Sequence, residues 1–342
     1  MSVAPVQRTR RGLMNGTRRG RLAGVRRQRG VAMMVAILLV AFGTILAAAI
    51  GFKGAMAARR STANMAVDQS LLVAEAAEAL AAYALREDRK AGSGANATDH
   101  PAEEWAQPLG PVEVVPGVVL EAYLEDATGR FNLNSLVAAN NQVDPVALQK
   151  LESLMEQVGV DPKWAPMIAD WIDPDTQPIQ GGAEDSVYAA QTPPYRAANT
   201  FITSPSELLA LPEFGRDNYV KLAPFVTALP RDASINVCSA SGVLLDALVE
   251  PSHKEYGTMD PKELAKQRES GCFPTKQVYA AAFGGPASQD WTQTAPLVSE
   301  VSSYFRLTSI VTIGSAEFTL YSLLERDQRG QTHVLMRSFS PE

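Results

Sequence analysis

The stretch RGVAMMVAILLVAFGTILAAAIGF, residues 29–52, decides the fold of this 342-residue chain. Its first two residues close an arginine-rich leader, and the 22 residues from Val31 to Phe52 carry no charge. As a helix such a run rises about 1.5 Å per residue, enough for the ~30 Å hydrocarbon core of a bilayer. A secretory signal instead pairs a short apolar core with a small-residue cleavage site after it. Here the small residue at the basic boundary is Gly30, ahead of the apolar run. That order admits two readings. One is an ordinary single-span anchor; the other is a signal cut after Gly30 that leaves the helix on the mature chain.

The leader, residues 1–30, holds nine arginines and no acid. Taking those nine from the 31 basic residues leaves 22 against 37 acids, a mature charge of about −15. Such a balance argues against nucleic acid as a main partner. The leader's arginines set the N-terminus in the cytoplasm and everything after Phe52 outside, against only Lys53, Arg59 and Arg60 beyond the span. The chain's two cysteines, Cys238 and Cys272, then lie in an oxidising compartment. The segment between them is polar and poor in core residues, which favours a disulfide over two buried thiols.

Beyond Phe52 the helical pattern continues. Alanine is abundant, proline is absent, and Leu71, Leu72, Leu80 and Leu85 recur at helical spacing to about residue 90. Residues 91–117, rich in Gly, Pro, Asn and Asp, read as a loop. Val118 to Asp126 alternates cleanly as a strand. Helix starts follow at Asp144-Pro145, at Asp161-Pro162 and at the capping box Ser204-Pro205-Ser206-Glu207. A short helix is expected over Tyr219–Thr227, a strand over Ser234–Val237 and a helix over Gly242–Val249. Three alternating runs, Tyr304–Thr312, Phe318–Arg326 and His333–Phe339, make a closing meander.

The densest polar stretch is Asp170-Trp171-Ile172-Asp173-Pro174-Asp175, followed by Gly181-Gly182-Ala183-Glu184-Asp185. Carboxylates crowded in one loop repel unless a cation neutralises them, and calcium takes six to eight oxygens from irregular loops. The spacing is not that of an EF-hand, and a solvated acidic loop is the plain alternative. Catalytic signals are weak. The three histidines, His100, His253 and His333, form no metal-binding pair, and no P-loop, GxGxxG or nucleophile elbow occurs. Leu208 to Gly215 has the look of a nucleic-acid-binding hairpin, but its surroundings are acidic, so it reads as a packing unit.

Taken together, these segments resemble the K-type minor pseudopilins of type II secretion systems. The residues that carry the likeness are Arg29-Gly30-Val31-Ala32, Leu124-Glu125-Asp126, Gly129 to Asn134, Asp170 to Asp175, Gly182 to Asp185, Pro194 to Asn199, Ser206-Glu207-Leu208 and Ser234 to Val237, all in the family's order. The resemblance implies an α+β, pilin-like fold: a long N-terminal helix on an antiparallel sheet, with a large helical domain inserted. It divides the chain into a cleaved leader (1–30), a membrane span (31–52), the rest of the helix (53–90), a pilin-like part (118–138 and 231–342) and an inserted helical domain (139–230). It further implies cleavage by a prepilin peptidase between Gly30 and Val31, methylation of the new terminus, and anchorage in the inner membrane beside the assembly platform, with the bulk in the periplasm. It implies no enzymatic activity. It implies instead a tip shared with I-type and J-type pseudopilins, and Ca2+ held by Asp173, Asp175, Glu184 and Asp185, with Asp170 and Asn199 as further candidates.

Most pilins carry a glutamate five residues into the mature chain; here that position is Val35. Its loss is typical of the K-type subunit, whereas a type IV minor pilin or pilin-like adhesin, the alternative, keeps it. A subunit with nothing above it has no amine to neutralise, and a lone carboxylate in lipid is costly. A calcium-dependent anchored hydrolase built on Asp170 and Asp173 is the alternative of a different class.

Overall fold

A computed structural model describes residues 29–91, 97–249 and 254–340. The arginines at positions 8–27 of the expected leader lie outside the described residues. The chain divides into two units, residues 1–63 and 64–342.

In the first unit helix α1, Arg29–Ala91, begins. From Gly30 its residues are almost all exposed, including Val31, Val35, Phe42 and Phe52, and its composition and length suit a membrane span. The side-chain positions at Gly43, Gly51 and Gly54 face open space.

In the second unit α1 turns one face inward. Ala74, Ala77, Ala81 and Leu85, three or four apart, are buried against a sheet. Strand β1 covers Leu109–Val115 and β2 covers Val118–Asp126. The chain then leaves this sheet and returns only at the C-terminal end. The intervening elements are β3 (Phe131–Asn132), α2 (Pro145–Gln157), α3 (Trp164–Ile172), α4 (Asp185–Tyr188), α5 (Gly215–Leu222), β4 (Val226–Thr227), β5 (Ile235–Asn236), α6 (Gly242–Leu248), α7 (Pro261–Arg268), α8 (Lys276–Ala281), α9 (Gln289–Thr294) and β6 (Val298–Ser299). The meander β7 (Tyr304–Ile313), β8 (Ala316–Arg326) and β9 (Thr332–Ser338) completes a five-stranded antiparallel sheet in the order β1-β2-β7-β8-β9.

Register explains the sheet's core. Leu120 pairs with Val311 and Leu124 with Leu307, and these join Leu320 and Leu324 on the face that α1 covers. Buried Glu78 of α1 accepts from Ser322 Oγ (2.6 Å) and from Arg337 Nε (2.8 Å) and Nη2 (2.7 Å), pinning helix to sheet.

The helical core is larger than the sequence implies. The insertion expected to end at residue 230 continues: α6, Tyr279 of α8, Trp291 of α9 and Val298 of β6 bury themselves with Leu151, Leu154, Ile168 and Trp171. β6 pairs in parallel with β5, so the excursion spans residues 127–303. Helices α7, α8 and α9 are six to eight residues each, too short to show a hydrophobic period. Residues 91–117, expected as loop, contain β1 as well as buried Trp105, whose ring lies 5.1 Å from Phe305. Every residue of β1 is exposed and Pro111 interrupts it, so no alternation marks it in sequence. The helix expected over Tyr219–Thr227 stops earlier: α5 ends at Leu222, and Val226–Thr227 pairs with β3.

A buried polar cluster ties the two ends of the excursion. Asp126 accepts from Thr128 N (2.8 Å), Ser302 Oγ (2.6 Å), Asn236 Nδ2 (2.9 Å) and Ser239 Oγ. Ser302 N donates to Asp99 (2.7 Å), whose carboxylate holds Arg326 Nη2. Arg326 Nη1 lies 3.1 Å from Asp88 of α1.

Candidate metal centre

Three carboxylates converge where α3 ends. Asp173 caps α3 in an extended conformation, and Pro174 keeps the chain from resuming the helix. Asp173, Asp175 and Glu184 each bring an oxygen within 4.8 Å of the others. Asp173 and Glu184 are buried and Asp175 is exposed. Buried polar atoms are normally hydrogen-bonded. Here Asp173 Oδ1, Glu184 Oε1, Asp170 Oδ2 and Asn199 Oδ1 are all buried without a partner. All four are acceptors, and those of the converging Asp173 and Glu184 are oxygens that a hard cation fits.

Asp170 lies one helical turn before Asp173 and is fully buried. Its Oδ1 accepts from Ile179 N (3.2 Å). A Cβ on Gly182 would fall 2.0 Å from Asp170 Oδ2, so the glycine is what lets the loop close over this carboxylate. Burial first, then the neighbouring Asp173 and Glu184, pushes the Asp170 carboxyl up to about 7. Burial, Asp175 and Glu184 likewise push Asp173 up to about 6, and burial raises Glu184. Each shift reflects burial first and the neighbouring carboxylates second.

Asn199 adopts a left-handed backbone (φ 45°) and donates its Nδ2 to Asp175 O, with Glu184 Oε2 at 3.4 Å. Asp185 does not join the group. As the first residue of α4 it turns toward the following loop, where Oδ1 accepts from Ala197 N (3.0 Å) and Oδ2 lies 3.9 Å from Arg196 Nε. Of the six residues named from sequence, three therefore converge, Asp170 and Asn199 border them with unpartnered oxygens, and Asp185 is engaged elsewhere. An aromatic wall adjoins: Trp171, next to Asp170, lies 5.0 Å from Tyr188, which lies 5.5 Å from Tyr195.

A second acidic group, Asp88, Asp99 and Glu103, escaped the sequence reading because its members meet only in the fold. Arg326 already supplies the cation, bonding Asp99 at 2.6 Å and Asp88 at 3.1 Å. Cys238 and Cys272 are joined in a disulfide. Gly30 and Val31 stand in the first turn of α1.

A sequence model described as type II secretion system (T2SS), protein K matches residues 129–231. Type II secretion system protein K of Pseudomonas aeruginosa is 34% identical over 322 residues, covering 91% of this chain and 92% of that protein. Its counterpart from Klebsiella pneumoniae is 30% identical, covering 88% and 94%. A chain in the crystal structure of the GspK-GspI-GspJ complex from enterotoxigenic Escherichia coli superposes with a TM-score of 0.69 at 27% identity, covering 83% of this chain and all of that one. With 34% identity across nine-tenths of both chains, this chain belongs to the type II secretion system protein K family.

Proposed function

We propose that this chain is the minor pseudopilin that caps the pseudopilus tip together with I-type and J-type partners, helping to start assembly and the export of folded proteins. The observation that carries this reading is the match along the whole of a chain solved in a GspK-GspI-GspJ complex. Val35, where a stackable pilin would carry glutamate, favours a terminal position over the middle of a fibre. In this reading the prepilin peptidase cuts between Gly30 and Val31, the new terminus is methylated, and the span from Val31 to Phe52 rests in the inner membrane until the assembly platform extracts it. The insertion, residues 127–303, then obstructs the addition of subunits above. Calcium is held by Asp173, Asp175 and Glu184. Turning the Asn199 amide over would add its oxygen to that shell, and Asp170 supports it from behind. The metal's contribution is to neutralise the loop and fix its path. Co-expression with I-type and J-type pseudopilins of the same organism tests the reading. One complex containing all three is expected on gel filtration, and elution of this chain alone would refute it.

A further inference from the structure

Between the inserted domain and the segment Pro101 to Gln107 lies a cleft of about 700 Å3, well away in sequence from the carboxylate loop. Phe225, Val243, Tyr256, Met259 and Leu264 give it apolar walls, and Arg268 borders it. Arg268 is 8% exposed. Its Nε donates to Phe273 O (2.7 Å), and its Nη2 to Val237 O (3.1 Å) and Ala240 O (2.7 Å). These bonds occupy three of the five guanidinium donors and leave the two on Nη1. No carboxylate among the described residues pairs with it. Burial holds this group down to about 10. Val237 and Phe273 are the chain neighbours of Cys238 and Cys272, so the disulfide fixes two of the three carbonyls that hold the guanidinium.

A pinned guanidinium with a spare edge, set in an apolar cleft, suits a single carboxylate attached to an apolar body. Glu269 at the border disfavours a dianion such as phosphate. Gln107 and Ser241, also on the border, give polar groups that a peptide's amides can meet and an acyl chain cannot. We propose that this cleft receives the C-terminal carboxylate of an apolar peptide segment from a partner chain, with Arg268 Nη1 bonding the carboxylate.

The test uses the full chain in detergent and a fluorescein-labelled heptapeptide of Leu, Ala and Phe, ended either as the free acid or as the amide. Fluorescence anisotropy should show the acid binding at least tenfold more tightly than the amide. Arg268→Met should abolish that difference. Ala265→Trp, an exposed position on the cleft border, should block both peptides while leaving the melting temperature unchanged. Equal binding of acid and amide, no binding of the acid up to 1 mM (about −4 kcal/mol), or unaltered binding to a folded Ala265→Trp variant would each overturn the proposal. So would laurate displacing the peptide at a tenfold lower concentration than unlabelled acid peptide, which would make the occupant a lipid.

Discussion

At the scale of single residues, the most informative atoms are oxygens with nothing to accept from. Asp173 Oδ1, Glu184 Oε1 and Asp170 Oδ2 are buried acceptors, and burial holds the carboxyls of Asp170 and Asp173 at about 7 and 6. Protons and metal therefore compete for one site. Terbium luminescence sensitised through Trp171 should titrate in wild type, weaken steadily from pH 7.5 to pH 5.5, and vanish in Asp173→Asn/Glu184→Gln. Undiminished luminescence in that variant would place the metal elsewhere. Glu103 makes a separate prediction. Burial, chiefly, pushes its carboxyl from 4.5 up to about 7, beside Asp88 and Asp99, so the folded state binds its proton more tightly than the unfolded state. Its stabilising effect is then fully present below about pH 4.5 and lost as pH rises through about 7. Denaturant unfolding should show Glu103→Gln gaining on wild type between pH 5 and pH 8, and parallel profiles would exclude the effect. The Asp170 to Asp175 run was legible in sequence because like charges were dense there. Asp99 and Glu103 were not, since their partners Asp88 and Arg326 come from distant segments.

At the scale of elements, periodicity decided what could be foreseen. The strands β2, β7 and β8 bury one face and leave the other partly exposed, which leaves a two-residue period in the sequence. Strand β1 is an exposed edge and α7 to α9 are only six to eight residues long, so neither leaves a period to read. The cysteines could be paired by compartment alone, and the pair then fixes the stretch that contains α7 across a sequence separation of 34. Closing a loop of that length stabilises by roughly 3–4 kcal/mol. Cys238→Ala/Cys272→Ala should therefore lower the melting temperature of the inserted domain by roughly 6–16 °C. Calorimetry in which that transition does not move would show the clamp to be redundant with the Arg268 bonds.

At the scale of the whole molecule, two cores stand side by side within residues 64–342. One lies between α1 and the sheet, and the other is enclosed by the insertion. The sequence order helix, strand, helices, strands announced this division, but not its border. Residues 231–303 mix polar stretches with short helices, and they join the helical core only through long-range contacts such as β5 with β6. In register, Asp126 at the end of β2 faces Phe305 at the start of β7. Paired residues across antiparallel strands stand about 5 Å apart, so the excursion departs and returns at nearly one point. Replacing residues 127–303 with a four-residue turn should leave a small folded helix-on-sheet protein, with native strand amides protected in hydrogen exchange. Loss of that protection would mean that the sheet depends on its guest. Seen as architecture, the excursion is a hairpin loop grown to the size of a domain, and its doorway is the width of a single strand pair. A doorway so narrow lets the guest drift in sequence, lengthen or be exchanged while the host's ladder goes on pairing unchanged, so one ancestral fibre subunit can be refitted as a cap without redesigning the part that must fit the fibre.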